Sequence, residues 1–273
     1  MSAPAYPGRA LQFGESDTNL VTLVQRRLLE RGCGPLEVTG DFDNKTRSAV
    51  RLFQGRFPDG TGAALVVDGK VGPLTWETLF GDATVATVAA APDALLAAVL
   101  QTAAKEVGTM EEPPGSNRGP RVDQYLKAVG LDPAAGSFSW CAAFVYWCFG
   151  ESARGLSRGN PVVRTAGVMD HWRRAEQAGA RRLAADDATA DPSRIHPGMI
   201  FVLDTGGGFG HTGLVEAIDG GRLITVEGNT NDGGSREGVG VFRRNGRKII
   251  SINRGFIDYS TAAPSAARPV EAP

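Results

Sequence analysis

The sequence predicts an α+β protein with a small all-α unit at its N-terminal side. Three observations predict this. A turn-and-helix motif occurs twice within about residues 10–82. A stretch of Ala, Thr and Val closing on Pro92 follows at 83–92 and reads as a linker. Across 93–260 helical periodicity comes first and short strand-like segments come after, which is the order of an α+β domain. With 42% apolar and 22% charged residues, both units can bury a core.

In the first unit Leu20, Val21, Val24 and Leu28 recur at helical spacing, with Ser16 and Asp17 as candidate caps. The repeat follows. Gly40, Phe42, Thr46 and Val50 have the same offsets as Gly69, Val71, Thr75 and Leu79. Each copy is a turn feeding a helix. Asp43 or Asn44 suits the first cap, and Pro73 suits the first turn of the second helix. A three-helix module results, with Thr46, Thr75 and the glycines closing turns and capping helices.

The second unit begins with a helix over Leu95 to Val107, capped by Asp93. Val122, Tyr125, Leu126 and Val129 mark another, residues 140–150 a third, and Thr165 to Ala178 a fourth that Gly179 ends. Strands are expected at Met199–Leu203, Thr212–Ile218, Leu223–Glu227, Val239–Arg243 and Lys248–Asn253. Asn245-Gly246 predicts a tight hairpin between the last two. Residues 261–273 read as a flexible tail of Ala, Pro and Ser.

Thirty acidic residues balance 29 basic ones, and no basic run marks a nucleic-acid surface. No stretch approaches the roughly 18 apolar residues of a membrane span, and residues 1–10 lack the basic start and apolar run of a secretory signal. The three cysteines, Cys33, Cys141 and Cys148, cannot form a disulfide framework. Cys141 and Cys148 stand roughly 10 Å apart along one helix, beyond disulfide reach.

A nucleophilic cysteine needs a thiolate, some access and a nearby base. If Ser139 caps the third helix, Cys141 lies in its first turn, where the dipole favours a thiolate and the amides suit an oxyanion. Cys148 lies two turns deeper, and Cys33 has no histidine near it in sequence; both read as structural. Among three histidines, His171 and His196 read as structural or solvent-facing, while His211 follows the glycine-rich segment 206–210 and opens a strand. A three-residue loop at Asp219-Gly220-Gly221 would set His211 opposite Asn229 with Glu227 diagonal to it on the same face. A two-residue loop would shift that register.

Two resemblances follow. VTLVQRRLLERG, GDFDNKTRSAVRLFQ and VDGKVGPLTWETLF, in that order, resemble the peptidoglycan-binding-domain family. The second resemblance lies in Ser-Trp-Cys141-Ala-Ala-Phe-Val, Gly-His211-Thr-Gly-Leu-Val-Glu and Thr-Val-Glu227-Gly-Asn229-Thr. These resemble the CHAP family of cysteine, histidine-dependent amidohydrolases and peptidases. The second implies a papain-like fold, with Cys141 as nucleophile, His211 as base and then acid, Glu227 orienting His211, and Asn229 completing the polar set. Trp140 and Asn117 are candidate substrate contacts. No Asp-rich loop with calcium-site spacing and no Cys/His cluster for zinc is present, so no metal or other cofactor is expected.

The pairing implies a monomeric peptidoglycan hydrolase that severs an amide of the wall, as a stem or cross-bridge endopeptidase or an N-acetylmuramoyl-L-alanine amidase. Without a visible signal, such a bacteriolytic protein resembles a modular phage or bacterial endolysin, made in the cytoplasm and released to the wall by a phage holin. The alternatives are a wall-binding protein without activity and an amidase toxin used against rival bacteria.

Overall fold

A computed structural model describes residues 4–81, 89–230 and 238–260. The expected linker at 83–88 and tail at 261–273 lie outside these residues, whereas 89–92 have no regular structure. One compact unit comprises residues up to 81 with 189–194 and 219–222, and the other comprises the remaining described residues.

The first unit holds α1 (Thr18–Glu30), α2 (Asn44–Arg56) and α3 (Pro73–Phe80). Asp17 and Asp43 cap α1 and α2 by accepting the amides of Leu20 and Thr46, and Pro73 opens α3. Leu28, Phe53, Val71, Trp76 and Leu79 form its core with no exposure.

A buried glutamine organises each copy of the repeat. Gln25 donates to Thr39 Oγ1, the Asp41 carbonyl and Thr46 Oγ1, and accepts the Thr39 and Gly40 amides. Gln54 donates to Asp68, the Lys70 carbonyl and Thr75 Oγ1, and accepts the Gly69 amide. Thr46 and Thr75 are thus acceptors for an interior amide that pins helix to turn. The fully buried carboxamide is satisfied, which removes its desolvation cost.

The second unit begins with α4 (Ala94–Glu106), capped by Asp93, then α5 (Val122–Ala128), α6 (Cys141–Gly155) and α7 (Val168–Arg174). The expected fourth helix is shorter than predicted at both ends. Gly167 stays extended before Val168, and a single 3-10 turn at Glu176–Ala178 ends at Gly179, φ 84°. Next come β1 (Arg181–Ala184) and α8 (Ala185–Ala190), neither expected, then β2 (Ile200–Gly206), β3 (Phe209–Asp219), β4 (Arg222–Thr230), β5 (Gly240–Lys248) and β6 (Gly255–Asp258). The six strands form one antiparallel sheet in the order β1-β6-β2-β3-β4-β5.

The predicted hairpin at Asn245-Gly246 does not form. β5 runs through both residues, and only Gly246 takes a positive φ, whereas a tight type I′ turn needs one at Asn245 as well. The chain instead leaves β5 by a 3-10 turn at Ile249–Ser251 and inserts β6 between β1 and β2, where all four of its residues are buried. Burial of Phe256 and Ile257 outweighs a local turn preference.

α6 is the pivot of this unit. Trp140, Ala143, Phe144, Val145, Cys148 and Phe149 are fully buried around it. Against β4 the approach is so close that a Cβ at Gly228 would stand 2.7 Å from Phe144 Cβ and 2.8 Å from Trp140 Cζ3. Only glycine permits this approach, which brings the start of α6 onto the sheet face that carries β3 and β4.

Candidate active site

Cys141 is the first residue of α6. The residue before it is Trp140, not Ser139, and no side chain of its own segment caps the helix, so the expected Ser139 cap is not made. The first-turn amides still have no carbonyl four residues back to bond. A distant residue supplies part of the cap. With its amide oriented so that the oxygen meets a donor and the nitrogen an acceptor, the Asn229 carboxamide accepts the Trp140 amide at 3.1 Å and donates to the Gly238 carbonyl at 3.1 Å. Asn229 adopts φ 52° to do so. It therefore ties β4 to the start of α6, where the register argument had set it opposite His211.

β3 and β4 leave only Gly220 and Gly221 between them, one residue fewer than the expected loop. His211 and Glu227 nevertheless share a face. His211 Nε2 lies 2.8 Å from Glu227 Oε2, and the two are 2% and 0% exposed. Glycine at 213 permits this, because a Cβ there would stand 2.8 Å from Glu227 Cγ.

The Glu227 carboxylate is fully engaged. Thr225 Oγ1 donates to Oε1 at 2.6 Å, and Arg247 donates from Nε to Oε1 at 2.9 Å and from Nη2 to Oε2 at 2.8 Å. Arg244 Nε stands 3.9 Å from Oε1. Burial opposes ionisation of Glu227, but the His211 hydrogen bond and the charge of Arg247 overcome it and hold its pKa down at about 2. Thr225, Arg244 and Arg247 were not anticipated from sequence. The available signal was the run of arginines at 243, 244 and 247 in a strand otherwise suited to an edge.

Burial likewise disfavours a charged His211 ring, yet Cys141 and Glu227 outweigh it and raise its pKa to about 9. Of these two, Cys141 is the larger influence on the ring. Nδ1 is buried and makes no geometrically complete hydrogen bond among the described residues. An ionised Glu227 can only accept, so Nε2 carries a proton and Nδ1 is the nitrogen able to exchange one.

Cys141 is 3% exposed, at the floor of a cleft of about 150 Å³. Ser139, Ala166, Gly167 and Val168 line it together with Gly208 of the β2–β3 turn and Phe209 and Gly210 at the start of β3. Phe209 is 66% exposed on the rim.

The other predicted contacts lie elsewhere. Trp140 is fully buried, stacked on Tyr125 with its indole donating to Glu111 at 2.8 Å, so it is a core side chain and not a groove wall. Asn117 binds Ser137 Oγ through its side chain and Glu111 through its amide, and it does not line the cleft. Cys33 and Cys148 are buried free thiols, and burial pushes Cys148 well above its ordinary pKa. His171 is buried against the Tyr259 hydroxyl with its pKa lowered by burial to about 4. His196 meets Asp258 at 3.3 Å. Among the described residues no helix is long and apolar enough to cross a membrane.

No curated protein and no solved structure gives a match to this chain. Two family matches are found, to the peptidoglycan binding domain over residues 17–79 and to the CHAP domain over residues 133–229. The chain therefore joins an N-terminal domain of the peptidoglycan binding family to a C-terminal domain of the CHAP family.

Proposed function

We propose that this protein hydrolyses an amide bond of peptidoglycan through a cysteine nucleophile. The two domain families support a peptidoglycan hydrolase in general, and one observation carries the finer reading. The imidazole of His211 is fixed through Nε2 by Glu227, while its buried Nδ1 is left for Cys141 at the start of α6.

In this mechanism Cys141 Sγ attacks the scissile carbonyl carbon while the proton it has given up rests on His211 Nδ1. The oxyanion forms beside the unbonded first-turn amides of α6. Collapse breaks the C–N bond, and the amine leaves with the proton from Nδ1. Water then gives a proton to Nδ1, attacks the thioester, and releases the acid and the thiol. Glu227 holds the ring and stabilises the imidazolium. Asn229 fixes the peptide preceding the nucleophile against β4. The scissile bond is the sugar–peptide amide or one within the stem or cross-bridge, and the N-terminal module holds the enzyme on the wall.

Turbidity clearing of purified walls tests this reading. Wild type clears them and Cys141→Ala does not, while both sediment with the walls. Equal clearing by the two proteins would refute the nucleophile, and binding with no clearing by either would indicate a wall-binding protein. Mass spectrometry of the released fragments identifies the new amine and hence the bond.

A further inference from the structure

The geometry points to Arg247 as a positioning residue of the hydrolytic site, whose two-pronged hold on Glu227 keeps His211 in the Nε2-protonated form. This rests on the nucleophilic reading above.

Arg247 donates side-on to both oxygens of Glu227, at 2.9 and 2.8 Å, and its own side chain is only 12% exposed. Its guanidinium lies 4.8 Å from the Phe201 ring centre, and that ring lies 5.9 Å from His211. The stack leaves Arg247 little freedom. With Thr225 on Oε1 and His211 on Oε2, the carboxylate accepts four hydrogen bonds. Such a group remains an acceptor and cannot rotate without breaking two charge-assisted bonds.

The groups acting on Glu227 come from three strands: His211 on β3, Thr225 on β4, and Arg244 and Arg247 on β5. Cys141 on α6 acts on His211 from the helical side. Without Arg247 a carboxylate with no exposure would face His211 with only a hydroxyl and the more distant Arg244 as further support. A buried charge stripped of its main partner is costly, and protonation or rotation relieves that cost. Either change removes the fixed acceptor from Nε2 and frees the proton to sit on Nδ1, where it blocks the base.

The test uses the full chain labelled with ¹⁵N-histidine, because three histidines give a countable spectrum. In wild type, His211 in its neutral form is expected to carry its proton on Nε2. In Arg247→Met the neutral ring populates both tautomers, kcat on walls falls about 100-fold, at the lower end of the range for acid–base groups, and KM stays within about twofold. Arg247→Lys keeps the charge without the fork and gives an intermediate kcat. A neutral wild-type His211 protonated on Nδ1 would overturn the proposal, even if neither variant folded. So would Arg247→Met with the wild-type tautomer and wild-type kcat. The spectrum does not depend on hydrolysis. Failure of the nucleophilic reading, seen as clearing by Cys141→Ala, is therefore separable from failure of this one.

Discussion

His211 Nε2 and Glu227 Oε2 lie 2.8 Å apart across β3 and β4, in a place where neither side chain reaches water. An imidazole and a carboxylate so placed each favour the other's charged form, with Cys141 adding to the shift of the first and Arg247 to that of the second.

Stability should therefore depend on pH in two windows. His211 has a pKa raised from 6.5 to about 9, so its contribution is complete below 6.5 and is lost as pH rises through 9. Glu227 has a pKa lowered from 4.5 to about 2, so its contribution is present above 4.5 and is lost as pH falls toward 2. Thermal melts from pH 6 to 10 should show wild type losing on the order of a few kcal/mol relative to His211→Gln. Parallel curves for the two proteins would contradict this coupling.

Asn229 should matter through the Trp140 amide. Asn229→Gly tolerates φ 52° but leaves that amide unpaired, which costs about 1–3 kcal/mol. Asn229→Ala adds backbone strain of about 1 kcal/mol or more. Denaturant titration should rank wild type above Gly and Gly above Ala, with kcat falling in the same order. A stable, fully active Asn229→Ala would show that the tie carries no weight.

Gln25→Leu should unfold the N-terminal module selectively. It strands the Thr39 and Gly40 amides, each at about 1–3 kcal/mol. Pull-down on isolated walls should fall more than about tenfold, enough to exceed 1.4 kcal/mol, while hydrolysis of soluble wall fragments persists. Unchanged wall association would break the link between this glutamine and binding.

Phe209 should serve the substrate. Its ring is 66% exposed at the cleft that holds Cys141. Phe209→Ala is expected to shift stability by no more than about 0.5 kcal/mol, as an exposed site does, and to raise KM for walls several-fold. Wild-type kinetics in this variant would remove the rim from the binding account.

The legible parts of the fold were those with local causes. Asp17, Asp43, Asp93 and Pro73 stand where helix ends require them, because a cap is satisfied within three residues. Gln25 and Gln54 are hard to read as interior residues because glutamine in a helix usually faces water; the one signal is that their offset matches that of Gly40 and Gly69. β6 was misplaced because Asn245-Gly246 is a turn signal whose outcome depends on partners far along the chain.

Composition and periodicity determined the two-part architecture, and the resemblance to the CHAP family selected Cys141, His211, Glu227 and Asn229 as the residues of interest. Tertiary structure alone decided their partners: Asn229 on the Trp140 amide, Arg247 and Thr225 on Glu227, and Trp140 in the core. The physical reason is burial. A carboxylate without water must be satisfied by whichever donors the packing of three strands and one helix brings within reach, and that packing is set by contacts distant in sequence.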